Sequence, residues 1–160
     1  MRILGVDPGL TRCGLGIIEA DAGRHVKLVD VDVARSKPEL PPGQRLLIIY
    51  NKLEETIRLQ RPNAIAFERV FAQENVRSVM STAQVAGIVL LIAAQHGIPI
   101  ASHSPSEVKA AVTGNGRAEK LQVQTMVQRI LNLPELPRPK DAADALAIAI
   151  CHAWRGGAIH

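Results

Sequence analysis

Short apolar runs bounded by turn-forming residues make up the first third of the chain. Three of them have the length and β-branched content of strands, and they span residues 3–7, 13–18 and 26–33. The loops between them are rich in Gly, Thr, Asp and Arg, and connections this short predict antiparallel neighbours. In the third run valines alternate with Asp30 and Asp32, so we expect these two acids to share a solvated face.

Helical periodicity replaces this alternation after a linker rich in Pro and Gly. The pattern predicts five helices, of which the first ends at residue 60 and the others span about 73–96, 105–114, 118–131 and 141–154. Single strands at 64–67 and 98–101 separate the first three helices. The second helix is apolar nearly all round between Val85 and Ala94, which predicts burial on several sides, with a second subunit as one candidate partner.

The order of these elements predicts an α/β fold. An antiparallel meander followed by crossover units folds, by right-handed connection rules, into one five-stranded mixed sheet flanked by helices. We expect one domain over residues 1–155 and a frayed tail at 156–160. If the first crossover strand lies beside strand one, Asp7 and Glu68 end neighbouring strands about 4.8 Å apart. Such an arrangement resembles the ribonuclease H-like fold.

Composition narrows the class of protein. The net charge of +4 is compatible with nucleic-acid binding, and residues 101–140 hold six basic side chains against three acidic ones. The longest uninterrupted apolar run is too short to cross a bilayer and the N-terminus lacks the signals of a secretory leader, so we expect a soluble, cytoplasmic protein with no membrane partner. Cys13 and Cys151 have no metal-ligand or redox spacing, which predicts buried reduced thiols.

Four carboxylates sit where apolar segments begin or end. Asp7 closes the first strand, Glu68 closes the fourth, and Asp141 and Asp144 lie three residues apart on one face of the last helix. A helix laid across the strand ends would gather all four into the hard oxygen site that Mg²⁺ prefers. Such a site suits two-metal phosphodiester hydrolysis. The chain contains no P-loop, dinucleotide fingerprint or Ser/His/Asp triad spacing.

Each acid also has a plainer interpretation. Asp7 opens an Asp-Pro-Gly sequence that is typical of a turn, and Glu68 has Arg69 as a possible ion-pair partner. Asp141 is suited to cap the last helix, with Asp144 at the third helical position favouring the positive dipole end. The metal-site hypothesis therefore depends on the four acids as a set.

Two groups of residues are candidates for holding DNA. The turn at 114–117 presents backbone N–H groups at the start of a helix. We expect Arg117 and Lys120 on the first turn of that helix and Lys109 on the preceding helix, which is typical of a phosphate clamp. An ordinary helical hairpin with solvated charges is the alternative. Arg69 and Phe71 follow Glu68, where an aromatic ring could stack on or wedge open a base, although core packing of Phe71 fits nearly as well.

At these residues the sequence resembles the RuvC family of Holliday-junction resolvases almost from end to end. The stretches that carry the resemblance are ILGVDPG at 3–9, AFERVF at 66–71, GNGRAEKLQV at 114–123 and DAADALAIAI at 141–150. The resemblance implies a homodimeric endonuclease of recombination and repair, which binds four-way DNA junctions and cuts two strands of like polarity. It implies Mg²⁺ as cofactor, two ions per active site, with Mn²⁺ able to substitute, and a branch-migration helicase as partner.

The resemblance also implies roles for individual residues. The family's acidic tetrad falls on Asp7, Glu68, Asp141 and Asp144, and its junction-contacting loop and basic surface fall on Phe71, Lys109, Arg117 and Lys120. His103 departs from the pattern, because the family often has a tyrosine two residues before the proline at 105. That departure bears on a local base or backbone contact and leaves the metal site untouched.

Two other functions compete with nuclease activity. Actin-like ATP-binding proteins have a similar loop after a strand-ending Asp, but they need two such domains around a cleft, and 160 residues cannot supply both. The other competitor is a DNA-binding module that recognises junctions without cutting them. Retention of all four acids argues against it, and binding without metal-dependent nicking would favour it.

Overall fold

The computed structural model describes residues 1–69 and 75–156. The strands are β1 (Arg2–Asp7), β2 (Arg12–Ala20), β3 (Val26–Arg35), β4 (Ala64–Glu68) and β5 (Ile100–His103). The helices are α1 (Pro42–Gln60), α2 (Val76–His96), α3 (Pro105–Thr113), α4 (Lys120–Ile130) and α5 (Lys140–Arg155). The predicted order of elements is confirmed, and most boundaries shift by one to three residues.

The five strands form one mixed sheet in the order β3-β2-β1-β4-β5. β2 pairs antiparallel with both β1 and β3, as the short connections predict. β4 pairs parallel with β1 and β5 pairs parallel with β4, because each reaches the sheet through a helical crossover. The first crossover therefore returns its strand beside strand one, as the sequence analysis required.

Two apolar clusters cover the two faces of the sheet. Leu4 and Val6 of β1 point to one face, where α1 and α2 pack on them. Ile3 points to the other face, where α3, α4 and α5 pack. Alternate residues of a strand point to opposite faces, so the apolar residues of β1 are buried on both sides of the sheet.

The predicted alternation in β3 is wrong at one position. The pairing register shifts between Ile17 and Ile18, and this bulge places Val29 against the α1 and α2 cluster while Val31 packs against the α5 cluster. Asp30 is exposed as expected. Asp32 is half-buried instead, because Lys52 of α1 reaches it at 2.6 Å.

α2 is buried on one side rather than on several. Its core face contains Val85, Ala86, Val89, Ile92 and Ala93. By length and composition alone this helix could also cross a membrane, and 28% of its most apolar window is buried within the chain. Its opposite, exposed face carries Val76, Met80, Leu90 and Leu91.

Candidate active site

Two acids meet where β1 and β4 end. The last paired positions of these parallel strands are Val6 and Phe67, and the next residue of each strand is Asp7 and Glu68. Neighbouring strands lie about 4.8 Å apart, so the two side chains leave the sheet beside each other. The charge of Glu68 acts on Asp7 and contributes to the raised pKa of the Asp7 carboxyl group.

α5 lies very close to the sheet and brings the other two acids to the same edge. A Cβ atom on Gly5 of β1 would clash with the carbonyl oxygen of Ala145, and one on Gly14 of β2 would clash with the carbonyl oxygen of Asp141. The helix backbone thus rests directly on glycine backbone. This close contact fixes how near the start of α5, with Asp141 and Asp144, lies to the ends of the strands.

Asp141 does not cap α5. The N-cap position is Pro139, which makes no side-chain capping hydrogen bond, and Asp141 lies inside the first turn. Its charge still lies near the positive end of the helix dipole. The prediction that Asp141 caps α5 is therefore wrong, and its carboxylate does not bind the end of the helix as an N-cap.

Three of the acids line one cavity, which we call the acidic cavity. Asp7, Glu68 and Asp144 share this space of about 250 Å³ with Lys109 of α3 and Lys120 of α4. Apolar residues of α3, α4 and α5 form the rest of the wall. The sheet edge and three helices thus bring acidic and basic side chains together around one opening.

Burial and mutual repulsion control the charge of this cavity. Burial raises the pKa of Asp7 to about 7, and the charges of Asp144, Glu68 and Asp141 raise it further in that order. Burial also raises the pKa of Asp144 above its ordinary value, against the opposing charge of Lys120. Because neighbouring carboxylates contribute to the raised pKa values of Asp7 and Asp144, a bound cation would favour the charged forms of both groups.

Asp141 faces a neighbouring space. One of its carboxylate oxygens lies 3.5 Å from Nε of Arg12, and the Asp141 side chain is 25% exposed. In residues 1–69 and 75–156, no group of three or more His, Cys, Asp or Glu side chains is arranged to hold a metal ion directly. Carboxylates are suited to a hard cation, but these side chains would have to move to converge on one ion.

The predicted DNA-binding residues lie in different surroundings. Lys109 and Lys120 both line the acidic cavity. Arg117 is exposed in the turn before α4, which starts only at Lys120, so the expected helical position of Arg117 is wrong. Arg69 turns back to β5, where its Nε and Nη2 donate to the hydroxyl and carbonyl oxygens of Ser102. Phe71 lies outside the described residues.

Two histidines lie next to Glu68, one at the end of β5 and one on α5. His103, opposite Glu68 in the β4–β5 pairing, is buried, and its Nε2 lies 3.2 Å from Nδ1 of His152. Burial lowers the pKa of both imidazoles. The His103 side chain is therefore packed inside the fold.

Sequence reasoning missed three residues that shape the site. The glycines at 5 and 14 both lie in predicted strands, where a glycine often marks the close approach of another backbone. Arg12 gave no signal, because its partner Asp141 is distant in sequence.

Cys13 and Cys151 are buried free thiols as predicted, and burial raises their pKa values to about 12 and about 11.

Comparison with known proteins identifies relatives along nearly the whole chain. The family profile described as crossover junction endodeoxyribonuclease RuvC matches residues 3–152. A protein of that name from Bifidobacterium adolescentis is 61% identical over 155 residues, which is 97% of this chain and 80% of the relative. One from a Nocardioides species is 56% identical over 158 residues, or 99% of this chain and 89% of the relative.

Solved structures agree with this assignment. RuvC of T. thermophilus in complex with a Holliday junction substrate superposes with a TM-score of 0.90 at 36% identity, covering 96% of this chain and 93% of that one. The yeast mitochondrial resolvase Ydc2, at 13% identity and a TM-score of 0.63, shares the fold. The predicted ribonuclease H-like fold is therefore confirmed. This chain belongs to the crossover junction endodeoxyribonuclease RuvC family.

Proposed function

We infer that this protein resolves four-way (Holliday) DNA junctions in recombination and repair, by hydrolysing phosphodiester bonds in two strands of like polarity. One observation carries the inference: acids from β1, β4 and α5 surround a single cavity that two lysines also line, in a chain of the RuvC family. Acids that hold cations beside lysines that hold phosphates suit phosphodiester hydrolysis.

We propose Mg²⁺ as the cofactor, with two ions per site during catalysis and Mn²⁺ able to substitute. Bound ions of this kind activate water and stabilise the leaving oxygen. Asp7, Glu68, Asp141 and Asp144 would hold them, since carboxylate oxygens are the ligands that hard cations prefer. The raised pKa values of Asp7 and Asp144 support this assignment, because carboxylates that repel one another gain most from a cation.

We propose that basic residues around the acidic cavity position the junction. Lys109 and Lys120 would hold phosphates next to the cleaved bond, and Lys120 also favours the charged form of Asp7. Arg117 would reach a more distant phosphate from its exposed turn. Arg69 and Phe71 would act at the branch point, with Arg69 steadied by Ser102 of β5.

We propose a cytoplasmic homodimer that works with a branch-migration helicase and has no membrane partner. Residues 1–155 would act as one nuclease domain, and the predicted tail lies outside the described residues from 157 onward. The exposed apolar face of α2 supports dimerisation, because a second copy would cover Met80, Leu90 and Leu91. A two-fold dimer also places two equivalent sites on a pseudo-two-fold junction.

The test is cleavage of a synthetic four-way junction and a matching linear duplex, with Mg²⁺ or with a chelator. We expect paired nicks in the junction alone and only with Mg²⁺. Asp7→Asn should bind the junction with unchanged affinity and leave it intact. Junction binding by the unaltered protein without nicking, across Mg²⁺ and Mn²⁺ concentrations, would support a binding module and overturn the nuclease.

A further inference from the structure

A second polar cavity lies beside Asp141, and most of its lining residues have no part in the function described so far. It has a volume of about 320 Å³ and lies between the β1–β2 loop, the start of α1, the first half of α2 and Asp141. Its polar walls are formed by Thr11, Arg12, Arg45, Ser78, Ser81 and Thr82. We call it the arginine cavity.

Arg45 is fixed in this cavity by two hydrogen bonds. Its Nε donates to the hydroxyl of Ser36 at 3.0 Å, and its Nη2 donates to the hydroxyl of Thr11 at 2.9 Å. Ser36 is itself buried and donates to the carbonyl oxygen of Leu10. A guanidinium has five N–H donors in a planar fork, so these two bonds orient the group and leave further donors for a ligand.

Arg12, the second arginine of this cavity, is held less firmly than Arg45. Its side chain is 62% exposed and its contact with Asp141 is a single long ion pair of 3.5 Å. Exposed pairs of this kind are weak, so a better anion can take the arginine away. Asp141 lines the arginine cavity, where its carboxylate faces Arg12, and its charge also acts on Asp7, which lines the acidic cavity.

The lining favours a phosphate diester as ligand. Two guanidinium groups supply charge and paired donors, and the hydroxyls of Ser78 and Thr82 on α2 supply neutral donors. The Ser81 hydroxyl already donates to the carbonyl oxygen of Arg77. The cavity is open on one side and too polar for an apolar ligand. A DNA strand that enters the acidic cavity has phosphates on either side of the cleaved bond, and the arginine cavity lies on the Asp141 side.

We propose that the arginine cavity binds the backbone phosphate next to the scissile one on the cleaved strand, and that this phosphate draws Arg12 away from Asp141. Asp141 is then released to join Asp7, Glu68 and Asp144 around the cation. Arg12 and Arg45 are positioning residues in this scheme, and the scheme rests on the proposed nuclease function. It makes DNA binding a condition for complete assembly of the metal site.

The first test is the salt dependence of junction binding, measured by fluorescence anisotropy in a chelator. Each phosphate contact that is lost lowers the slope of log K against log salt by about 1. We expect that loss for both Arg12→Gln and Arg45→Gln. Arg58→Gln is the matched control, since it removes an exposed guanidinium from the far end of α1 and should leave the slope unchanged. Unchanged slopes for both Arg12→Gln and Arg45→Gln overturn the phosphate site.

The second test locates the phosphate. A neutral methylphosphonate is placed at each position flanking the cleavage site of the junction. At one neighbouring position it should weaken binding by the unaltered protein and have little further effect on Arg45→Gln. Equal weakening of both proteins at every position overturns the assignment to the cleaved strand.

The third test measures the release of Asp141 without any cleavage. Binding of Mn²⁺ to the free protein, followed by electron paramagnetic resonance, should be about two- to five-fold tighter for Arg12→Gln, because Asp141 has lost its competing partner. Arg45→Gln should match the unaltered protein. Equal Mn²⁺ affinity in all three overturns the coupling. Failure of the nuclease proposal would look different, since the unaltered protein would then show no Mg²⁺-dependent nicking of junctions.

Discussion

Asp7 is held in surroundings that disfavour its charge. Its pKa rises from 3.8 to about 7 through burial first and through Asp144, Glu68 and Asp141 next. The folded protein therefore keeps a proton on Asp7 over a pH range in which the unfolded chain has released it. Between pH about 4 and 7 this difference lowers the free energy of unfolding of the metal-free protein as pH rises.

We expect Asp7→Asn to stabilise the metal-free protein and to abolish cleavage. The increase in the free energy of unfolding should grow from near zero at pH 4 to about 2–4 kcal/mol at pH 8. Each pKa unit by which the fold raises Asp7 makes its charged form about 1.4 kcal/mol less favourable. For a chain of this length the increase corresponds to roughly 5–10 °C in Tm. Thermal unfolding in a chelator, at a series of pH values, gives the difference between the two proteins.

Asp30→Asn is the control for that comparison, because Asp30 is exposed on β3. This variant should stay within about 0.5 kcal/mol of the unaltered protein at every pH. A stabilisation by Asp7→Asn that is the same at pH 4 and pH 8 would contradict the electrostatic explanation.

The position of a site residue could be predicted from the sequence where the residue ends a predicted strand. Asp7 and Glu68 end apolar strands, and the meander followed by a crossover places those ends side by side. Arg12 was not predictable, because its contact with Asp141 exists only after α5 has packed on the sheet. The capping interpretation of Asp141 failed for a related reason, since the helix starts one residue earlier than its sequence indicates.

Among the elements, α5 does most to position the site. Its contact surface is a run of small apolar residues, from which the sequence analysis expected close packing against the sheet. On the sheet, Gly5 and Gly14 have no side chains, and the backbone of α5 occupies the space that a side chain would fill. The contact depends on both the helix and the sheet, so the residue pattern of either segment alone does not predict it.

We expect Gly14→Ala to displace the start of α5. The new methyl group would meet the carbonyl oxygen of Asp141, and overpacking of this kind costs about 1–3 kcal/mol. Cleavage should fall far more than stability, because the displaced backbone carries Asp141 and Asp144. Denaturant unfolding and junction cleavage measured side by side would separate the two effects.

Gly43→Ala is the matched control for Gly14→Ala. A Cβ atom at Gly43 meets nothing within 4 Å, and the residue lies in the first turn of α1, where alanine is tolerated. Both stability and cleavage should be kept in this variant. Normal cleavage by Gly14→Ala would show that α5 can move without disturbing the acids.

At the scale of the whole molecule, α2 exposes a large apolar face that nothing in the described part of the chain covers. Val76, Met80, Leu90 and Leu91 lie on that face, with Ala83 and Gly87 between them. Small residues between large apolar ones let a second helix approach closely. The sequence predicted an all-round apolar helix correctly, but it could not show that this chain alone covers only one side.

We expect Met80→Glu combined with Leu91→Glu to convert the proposed dimer into a monomer. The two side chains are 59% and 51% exposed in the single chain, so the charges disturb a subunit contact and leave the core intact. Light scattering after size exclusion should show half the mass, and paired nicking of a junction should give way to single, uncoordinated nicks. Leu59→Glu, on an α1 residue that is 72% exposed, should remain dimeric and cut in pairs. If the double variant keeps the mass of the unaltered protein, α2 is not the contact between subunits, and another surface must align the two active sites.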